Sequence, residues 1–276
     1  MSETENSKIQ SDDASSSRSE IDRLPIDEHI EEVQENGKKV PKKGIYLLPN
    51  LFTMAALFSG FYAIIAAMNS NYEAAAIAIF VAMLLDGLDG RVARMTNTQS
   101  AFGAELDSLS DMVSFGVAPG LVVFTWGLAP LGRWGWAAAF IYIACAAIRL
   151  ARFNTQIDTA DKRYFTGLAS PAAAALIAGL VWVCHNYGIE KEAVPLALSI
   201  ITAMATVLAG LLMVTNVPYH SFKGIDFHGR VPFIVFLAIP LIFAIIVVDP
   251  AVVLMVIFSV YALSGPFQWL FGRRLK

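Results

Sequence analysis

Long apolar segments separated by short polar breaks fill the chain from Ile45 onward. A helix needs about 20 predominantly apolar residues to cross the hydrocarbon core of a bilayer, and these segments are of that length. Charged residues make up only 16% of the chain, against about 25% in soluble domains. The pattern predicts an all-α integral membrane protein, a bundle of about eight transmembrane helices. The predicted spans are about 46–68, 72–94, 104–127, 134–153, 169–187, 192–214, 231–248 and 250–271.

The first 40 residues differ in composition from the rest of the chain. They are rich in Ser, Asp, Glu and Lys and have almost no aromatic residues. Such a segment cannot bury enough apolar surface to offset the entropy lost on ordering. We therefore predict a disordered polar tail over residues 1–40 and one transmembrane domain over residues 41–276. Cys145 and Cys184 lie inside apolar segments and are expected to be small buried residues, and nothing in the sequence predicts a nucleic-acid partner.

The Lys and Arg residues are concentrated on one side of the predicted bundle. Cytoplasmic loops carry an excess of Lys and Arg, so the four lysines before the first span mark that side as cytoplasmic. With eight spans, and leaving out the distal tail, 15 of the basic residues fall on this side, and only Arg133 and Lys191 fall on the other. The asymmetry predicts that both termini are cytoplasmic.

Four carboxylates lie where a passive bundle would have apolar residues. Asp86 and Asp89 are in the last turns of the second span, and Asp107 and Asp111 are in the first turns of the third. A carboxylate at mid-membrane costs about 2.5–3.5 kcal/mol on insertion scales and is usually functional. Spacings of three and four residues put each pair on one helical face. Because the connection 95–101 is short, the two pairs can converge at the cytoplasmic end of antiparallel helices.

Converging carboxylates would repel one another unless cations neutralise them. Oxygen-only ligands suit Mg²⁺ or Mn²⁺, and four Asp can hold two ions about 3.5–4 Å apart, the arrangement used in phosphoryl chemistry. Gly90, Ala93 and Gly103 leave a shallow surface for a nucleotide, and Arg94 extends the same face with a donor for phosphate. The alternative is that the Gly and Ala residues only allow close helix packing.

The pattern Asp86-x2-Asp89-Gly90-x2-Ala93-Arg94-x8-Gly103-x3-Asp107-x3-Asp111 fixes eight positions over 26 residues. It resembles the signature of the CDP-alcohol phosphatidyltransferase family. The resemblance implies a six-helix core, a homodimer, and two divalent cations, Mg²⁺ or Mn²⁺, bound by the four aspartates. It also implies that the nucleotide of a CDP-linked donor lies over the Gly and Ala positions. Asp111 is then both a metal ligand and the general base for the acceptor hydroxyl.

Further segments resemble one subgroup of the family, the membrane-spanning phosphatidylserine synthases. They are LPNLFT (48–53), SFGVAPG (114–120), RLARFN (149–154), FTGLASPAAA (165–174) and NVPYHSFK (216–223). Ala169 departs from the subgroup, which often has Pro before the Ser-Pro step. The resemblance implies transfer of the phosphatidyl group from CDP-diacylglycerol to L-serine, in a multi-pass protein of a bacterial plasma membrane with a cytoplasmic active site.

The acceptor's carboxylate needs a cation near the metals. Arg149 and Arg152, three residues apart at the cytoplasmic end of the fourth span, and Arg163 in the following loop are candidates for binding it or a donor phosphate. Alternatively, they only anchor the helix on the positive side. Two other functions stay open: transfer to glycerol phosphate or inositol phosphate, and a cation transporter whose ion site is the Asp cluster. Midplane sites between broken helices would favour the transporter, whereas these carboxylates lie near one membrane face beside Arg94.

Overall fold

The structure, a computed structural model, describes residues 30–35, 38–43, 47–96, 100–156, 164–220 and 247–272. Helices make up most of this part of the chain. They are α1 (Leu47–Met68), α2 (Tyr72–Met95), α3, α4 (Arg133–Gln156), α5 (Ser170–Asn186), α6 (Leu196–Val214) and α7 (Pro250–Gly272). Helix α3 is α-helical over Ala101–Asp111 and Ala118–Val123, π-helical over Met112–Val117 and Phe124–Leu128, and ends in the 3₁₀ turn Ala129–Leu131.

These seven helices match seven of the predicted spans to within four residues at each end. Five of the described helices are long and apolar enough to cross a membrane, and Ser170–Asn186 is a shorter apolar helix. The prediction of an all-α integral membrane protein is therefore confirmed. The span predicted over 231–248 lies outside the described residues except at its end, so the count of eight stays a prediction.

Four short strands accompany the helices in the described ranges. Strand β1 (Ile30–Glu35) pairs antiparallel with β2 (Lys38–Lys43), and β3 (Tyr164–Thr166) pairs antiparallel with β4 (Pro218–His220). Residues 1–29 of the predicted tail lie outside the described residues. The disordered tail and the domain boundary near residue 40 stay predictions.

Helix α1 packs closely against α2 and α3 through small side chains. Buried alanines line the contact with α2, and small residues let membrane helices approach closely. Hydrogen bonds from hydroxyls to carbonyls of the facing helix reinforce the packing: Ser59 Oγ donates to Ala78 O at 2.8 Å, and Ser114 Oγ donates to Ala56 O at 3.1 Å. Helix α1 is thereby fixed beside both acidic helices.

The start of α3 is set by a serine cap. Ser100 has an extended backbone, and its Oγ accepts a hydrogen bond from the Gly103 N–H at 3.0 Å. Such a cap satisfies one of the backbone donors that a helix leaves unpaired in its first turn. Because the helix begins here, Asp107 and Asp111 fall on its second and third turns.

The π-helical segment of α3 follows Asp111 directly and contains an uncommon hydrogen bond. Pro119 has no N–H, so the Phe115 carbonyl lacks the donor that an α-helix would supply four residues later. Tyr142 of α4 fills this role: its hydroxyl donates to Phe115 O at 3.0 Å. The contact ties α4 to the segment that carries Asp111, and π-helical turns of this kind are frequent at functional sites.

Strands β3 and β4 join the segments that follow α4 and α6 and fasten them to α7. Phe165 lies opposite Tyr219 in this pair. The Tyr219 side chain is fully buried, its ring covers Gly265, where a Cβ would have no room, and its hydroxyl donates to Ala262 O at 2.9 Å. Burial, and to a smaller extent the nearby Tyr261, raises the pKa of Tyr219 to about 12, so the phenol stays protonated and can donate.

Candidate active site

The acidic residues of α2 and α3 converge at the end of the helix pair. Carboxylate oxygens of Asp86, Asp89 and Asp107 all lie within 4.8 Å of one another. The Asp86 carboxyl also lies close to those of Asp107 and Asp111. The structure therefore brings together all four aspartates that the spacing predicts to meet.

Asp89 has the least exposed side chain of the four, with 6% of its surface exposed. Thr53 of α1 donates a hydrogen bond from Oγ1 to Asp89 Oδ2 at 2.7 Å. A buried carboxylate must be hydrogen-bonded or neutralised to be tolerated, and Thr53 supplies one such bond. It thereby fixes the orientation of Asp89.

Asp111 lies at the inner end of the cluster, within electrostatic range of Arg149 of α4. Among the described residues, its Oδ1 is buried and has no hydrogen-bond partner. The Arg149 guanidinium donates from Nη1 to Ser170 Oγ at 2.7 Å, while its Nε, equally buried, has no partner in the same ranges. Asp111 and Arg149 therefore each have one buried polar atom that no described residue pairs.

A cavity of about 300 Å³ opens beside the cluster. It lies between α1 and the facing ends of α2 and α3, and its lining comprises Pro49, Asn50, Thr53, Asp89, Gly90, Ala93, Ser100, Gly103, Ala104 and Asp107. A Cβ at Gly90 would meet nothing, whereas one at Gly103 would come within 3.3 Å of Asn50 Oδ1. The predicted small-residue surface thus forms part of the cavity lining, and Gly103 leaves room for Asn50.

Asn50 is the least expected member of this cavity lining. Its side chain is only 9% exposed, and its Nδ2 is buried without a hydrogen-bond partner in the described part of the chain. An unpaired buried amide costs about 1–3 kcal/mol. A ligand that accepts a hydrogen bond in the cavity would remove this cost.

The four predicted arginines occupy different places. Arg149 lies near Asp111, whereas Arg152 donates from Nη2 to Asn216 Oδ1 at 2.7 Å and contacts the end of α6. Arg94 is exposed at the end of α2, with its Nε donating to Gly90 O at 2.8 Å. Arg163 lies outside the described residues.

Comparison with known proteins identifies the family. The sequence profile of the CDP-alcohol phosphatidyltransferases matches residues 46–217. The chain belongs to this family. It is 39% identical over 233 residues to a CDP-diacylglycerol–serine O-phosphatidyltransferase of Helicobacter pylori, covering 84% of this chain and 94% of that protein.

Two further organisms have similar proteins. A CDP-diacylglycerol–serine O-phosphatidyltransferase of Methanocaldococcus jannaschii is 32% identical over 220 residues, covering 79% of this chain and 94% of that protein. One of Mycobacterium tuberculosis is 38% identical over 161 residues, covering 55% of each chain. The family resemblance predicted from the eight signature positions is confirmed.

The residues of this CDP-alcohol phosphatidyltransferase fit a divalent cation. Asp86, Asp89 and Asp107 provide carboxylate oxygens close enough to share an ion, and hard oxygen ligands are those that Mg²⁺ and Mn²⁺ prefer. The unpaired Oδ1 of Asp111 adds acceptor capacity to the same cluster. The identity of the ion, Mg²⁺ or Mn²⁺, stays a prediction.

Sequence reasoning gave no role to three residues of this phosphatidyltransferase that the structure places around the aspartates. They are Asn50, Thr53 and Ser170. Asn50 and Thr53 belong to the LPNLFT segment, and Ser170 belongs to the FTGLASPAAA segment. The sequence therefore singles out both segments. Their connection to the acidic cluster depends on how α1 and α5 pack against the acidic helices.

Proposed function

We propose that the protein transfers the phosphatidyl group of CDP-diacylglycerol to the hydroxyl of L-serine, giving phosphatidylserine and CMP. The observation that carries the proposal is that the Asp111 carboxyl and the Arg149 guanidinium lie within electrostatic range of each other, next to the acidic cluster. A base and a cation in the same region of the site suit a small acceptor that has both a hydroxyl and a carboxylate. The names of the similar proteins of Helicobacter pylori and Methanocaldococcus jannaschii support the same acceptor.

The nucleotide end of the donor fits the cavity beside Asp89. The cavity volume of about 300 Å³ is at the small end of the range for ligand sites. Gly90, Ala93 and Gly103 leave the backbone of both helices accessible there, and Asn50 offers an amide for a polar group of the nucleotide. Arg94, exposed beyond Gly90, is available to a phosphate oxygen once its side chain swings outward.

The proposed metal ligands are Asp86, Asp89, Asp107 and Asp111, holding two divalent cations. When bound, Mg²⁺ or Mn²⁺ would supply the positive charge that the donor's diphosphate and the leaving CMP require. Thr53 keeps Asp89 oriented for this purpose through its 2.7 Å hydrogen bond.

Asp111 is the proposed general base. Its unpaired Oδ1 would accept the proton of the serine hydroxyl as the serine oxygen attacks the lipid-linked phosphorus. The new bond joins serine oxygen to phosphorus, and the bond from phosphorus to the CMP oxygen breaks, with its electron pair leaving on CMP. Since all four carboxylates have other roles, we expect direct transfer in a ternary complex and no phosphatidyl-enzyme.

Arg149 would bind the serine carboxylate. Arginine offers a planar set of donors that matches a carboxylate, and its Nε is unpaired among the described groups. A cytoplasmic site, predicted from the Lys and Arg distribution, gives serine access from the aqueous side. The homodimer implied by the family is likewise part of the proposal, and chemical cross-linking in native membranes tests it.

An acceptor screen tests the proposed function directly. Purified protein in detergent is combined with CDP-diacylglycerol and either L-serine, glycerol phosphate or inositol phosphate, and CMP release is measured. We expect release with serine and a matching yield of phosphatidylserine. A strong preference for glycerol phosphate, or full-rate CMP release without any acceptor, would contradict the proposal.

Asn50→Ala is expected to raise KM for CDP-diacylglycerol about fivefold and to leave KM for serine unchanged. A hydrogen bond contributes about 0.5–1.5 kcal/mol net, and each 1.4 kcal/mol is a factor of about ten. Initial rates at varied donor concentration give the measurement. Asn69→Ala, at the exposed other end of α1, is the matched control. An unchanged donor KM in Asn50→Ala would exclude this residue from the nucleotide site.

Arg149→Lys is expected to raise KM for serine at least tenfold, with a change below twofold in KM for the donor. Lysine keeps the charge but lacks the planar donors of the guanidinium. Initial rates at varied serine concentration and saturating donor provide the test. Arg152→Lys is the companion variant, because Arg152 already binds Asn216 at the end of α6. A larger rise in KM for serine in Arg152→Lys than in Arg149→Lys would show that Arg152, and not Arg149, binds the acceptor.

A further inference from the structure

Ser170 is the first residue of α5 and is completely buried. Its Oγ accepts a hydrogen bond from Arg149 Nη1 at 2.7 Å. A hydrogen bond to a charged group is worth about 1.5–3 kcal/mol, more than one between neutral groups. Ser170 therefore holds one end of the guanidinium that the proposed function assigns to the acceptor.

The backbone before Ser170 is held in place by α6 and the segment after it. The Gly167 N–H donates to Val217 O and the Leu168 N–H donates to Leu212 O, both at 2.9 Å. Gly167 has φ of +86°, and a Cβ there would collide with the Met213 carbonyl. Only glycine adopts this left-handed conformation without strain and fits so closely to another backbone. The position of Ser170 is therefore set by two consecutive hydrogen bonds and one tight turn.

The contact with Ser170 does not use every donor of the Arg149 guanidinium. Arg149 Nε is buried without a partner in the described ranges, and the Asp111 carboxyl lies near the same side chain. An arginine side chain has about 2 kcal/mol of rotamer entropy. Fixing one nitrogen on Ser170 removes part of this freedom before the acceptor binds, which strengthens binding without adding a contact to the acceptor.

We propose that Ser170 is a positioning residue for the acceptor: it orients Arg149 so that the remaining donors of the guanidinium bind the carboxylate of an amino-acid substrate beside Asp111. The inference rests on the proposed function, in which serine is the acceptor. The inference assigns a role to the FTGLASPAAA segment (165–174). Gly167 supplies the turn, and Ser170 supplies the hydroxyl that selects one arginine geometry.

Ser170→Ala is expected to raise KM for serine about tenfold, with kcat and KM for CDP-diacylglycerol changing less than twofold. Ser170→Thr, which keeps the hydroxyl, is expected to bring KM for serine back to within about threefold of the unmodified protein. Ser170→Cys replaces the alanine variant if that variant folds poorly, because a thiol of similar size is a weak acceptor. Ser199→Ala is the matched control: Ser199 is also completely buried in the bundle, and its Oγ has no partner among the described groups.

A double-mutant cycle with Arg149→Lys separates positioning from a general effect on folding. If Ser170 acts through Arg149, the serine KM of the double variant should equal that of Arg149→Lys alone, because residues in one network are not additive. Additive effects, or an equal rise in the KM of donor and acceptor, would refute the inference. If the unmodified protein is inactive with serine, both the proposed function and the inference fail. If it is active and Ser170→Ala leaves its serine KM unchanged, only the inference fails.

Discussion

Asp111→Asn is expected to lower kcat about a thousandfold while donor binding remains measurable. Asparagine has the size of aspartate but cannot accept the proton of the attacking hydroxyl, and general-base catalysis typically contributes about 10²–10⁴-fold. The Oδ1 that would take this proton is buried and unpaired among the described residues, so no existing hydrogen bond has to break before it accepts. Single-turnover rates of CMP release, with donor binding measured separately, test the prediction.

Two controls separate loss of the base from loss of a metal ligand. Glu105→Gln removes an exposed carboxylate from the same helix and should leave turnover unchanged. Raising Mg²⁺ or Mn²⁺ about a hundredfold should not restore Asp111→Asn, although it would restore a variant whose only defect was weaker metal binding. Near-normal turnover of Asp111→Asn would show that another group is the base.

Removing divalent cations with excess EDTA is expected to reduce CMP release to background, and Mg²⁺ or Mn²⁺ is expected to restore it. Carboxylate oxygens of Asp86, Asp89 and Asp107 lie within 4.8 Å of one another, and without a cation their mutual repulsion would oppose binding of a diphosphate. CMP release is measured before and after chelation and again after each metal is added. Full turnover in excess EDTA would exclude a metal-dependent reaction.

A readout independent of activity comes from thermal stability. A ligand that binds only the folded state stabilises it by RT ln(1 + [L]/Kd), so Tm should rise with Mn²⁺ concentration. The rise should be smaller in Asp107→Asn, which lacks one of the clustered carboxylates, than in Glu105→Gln. Equal metal-induced shifts in both variants would place the ion elsewhere.

The helices and the acidic cluster were accessible to sequence reasoning because local rules determine them. The first span, expected over about 46–68, is observed as Leu47–Met68, since length and apolar composition suffice to identify it. The convergence of Asp86 with Asp111 follows from spacings of three and four residues and a short connection between antiparallel helices. Neither conclusion needs knowledge of how distant helices pack.

Contacts between distant segments could not be derived in this way. Thr53 and Asp89 are 36 residues apart, and their hydrogen bond exists only because α1 packs beside α2. Pro119 signals a break in the hydrogen bonding of α3, but the sequence does not indicate that Tyr142 would fill it. The pairing of Arg149 with Ser170 likewise depends on the turn at Gly167, whose conformation is set by contact with α6.

The buried ring of Tyr219 has a consequence for the order in which the protein is completed during synthesis. Its site over Gly265 and its hydrogen bond to Ala262 belong to α7, the last described helix, whereas its strand partner Phe165 precedes α5. A nascent chain that has inserted only its first six described helices therefore has the aspartates in place but leaves this aromatic residue uncovered. A ribosome-bound chain should accordingly bury Tyr219 only after α7 has been inserted.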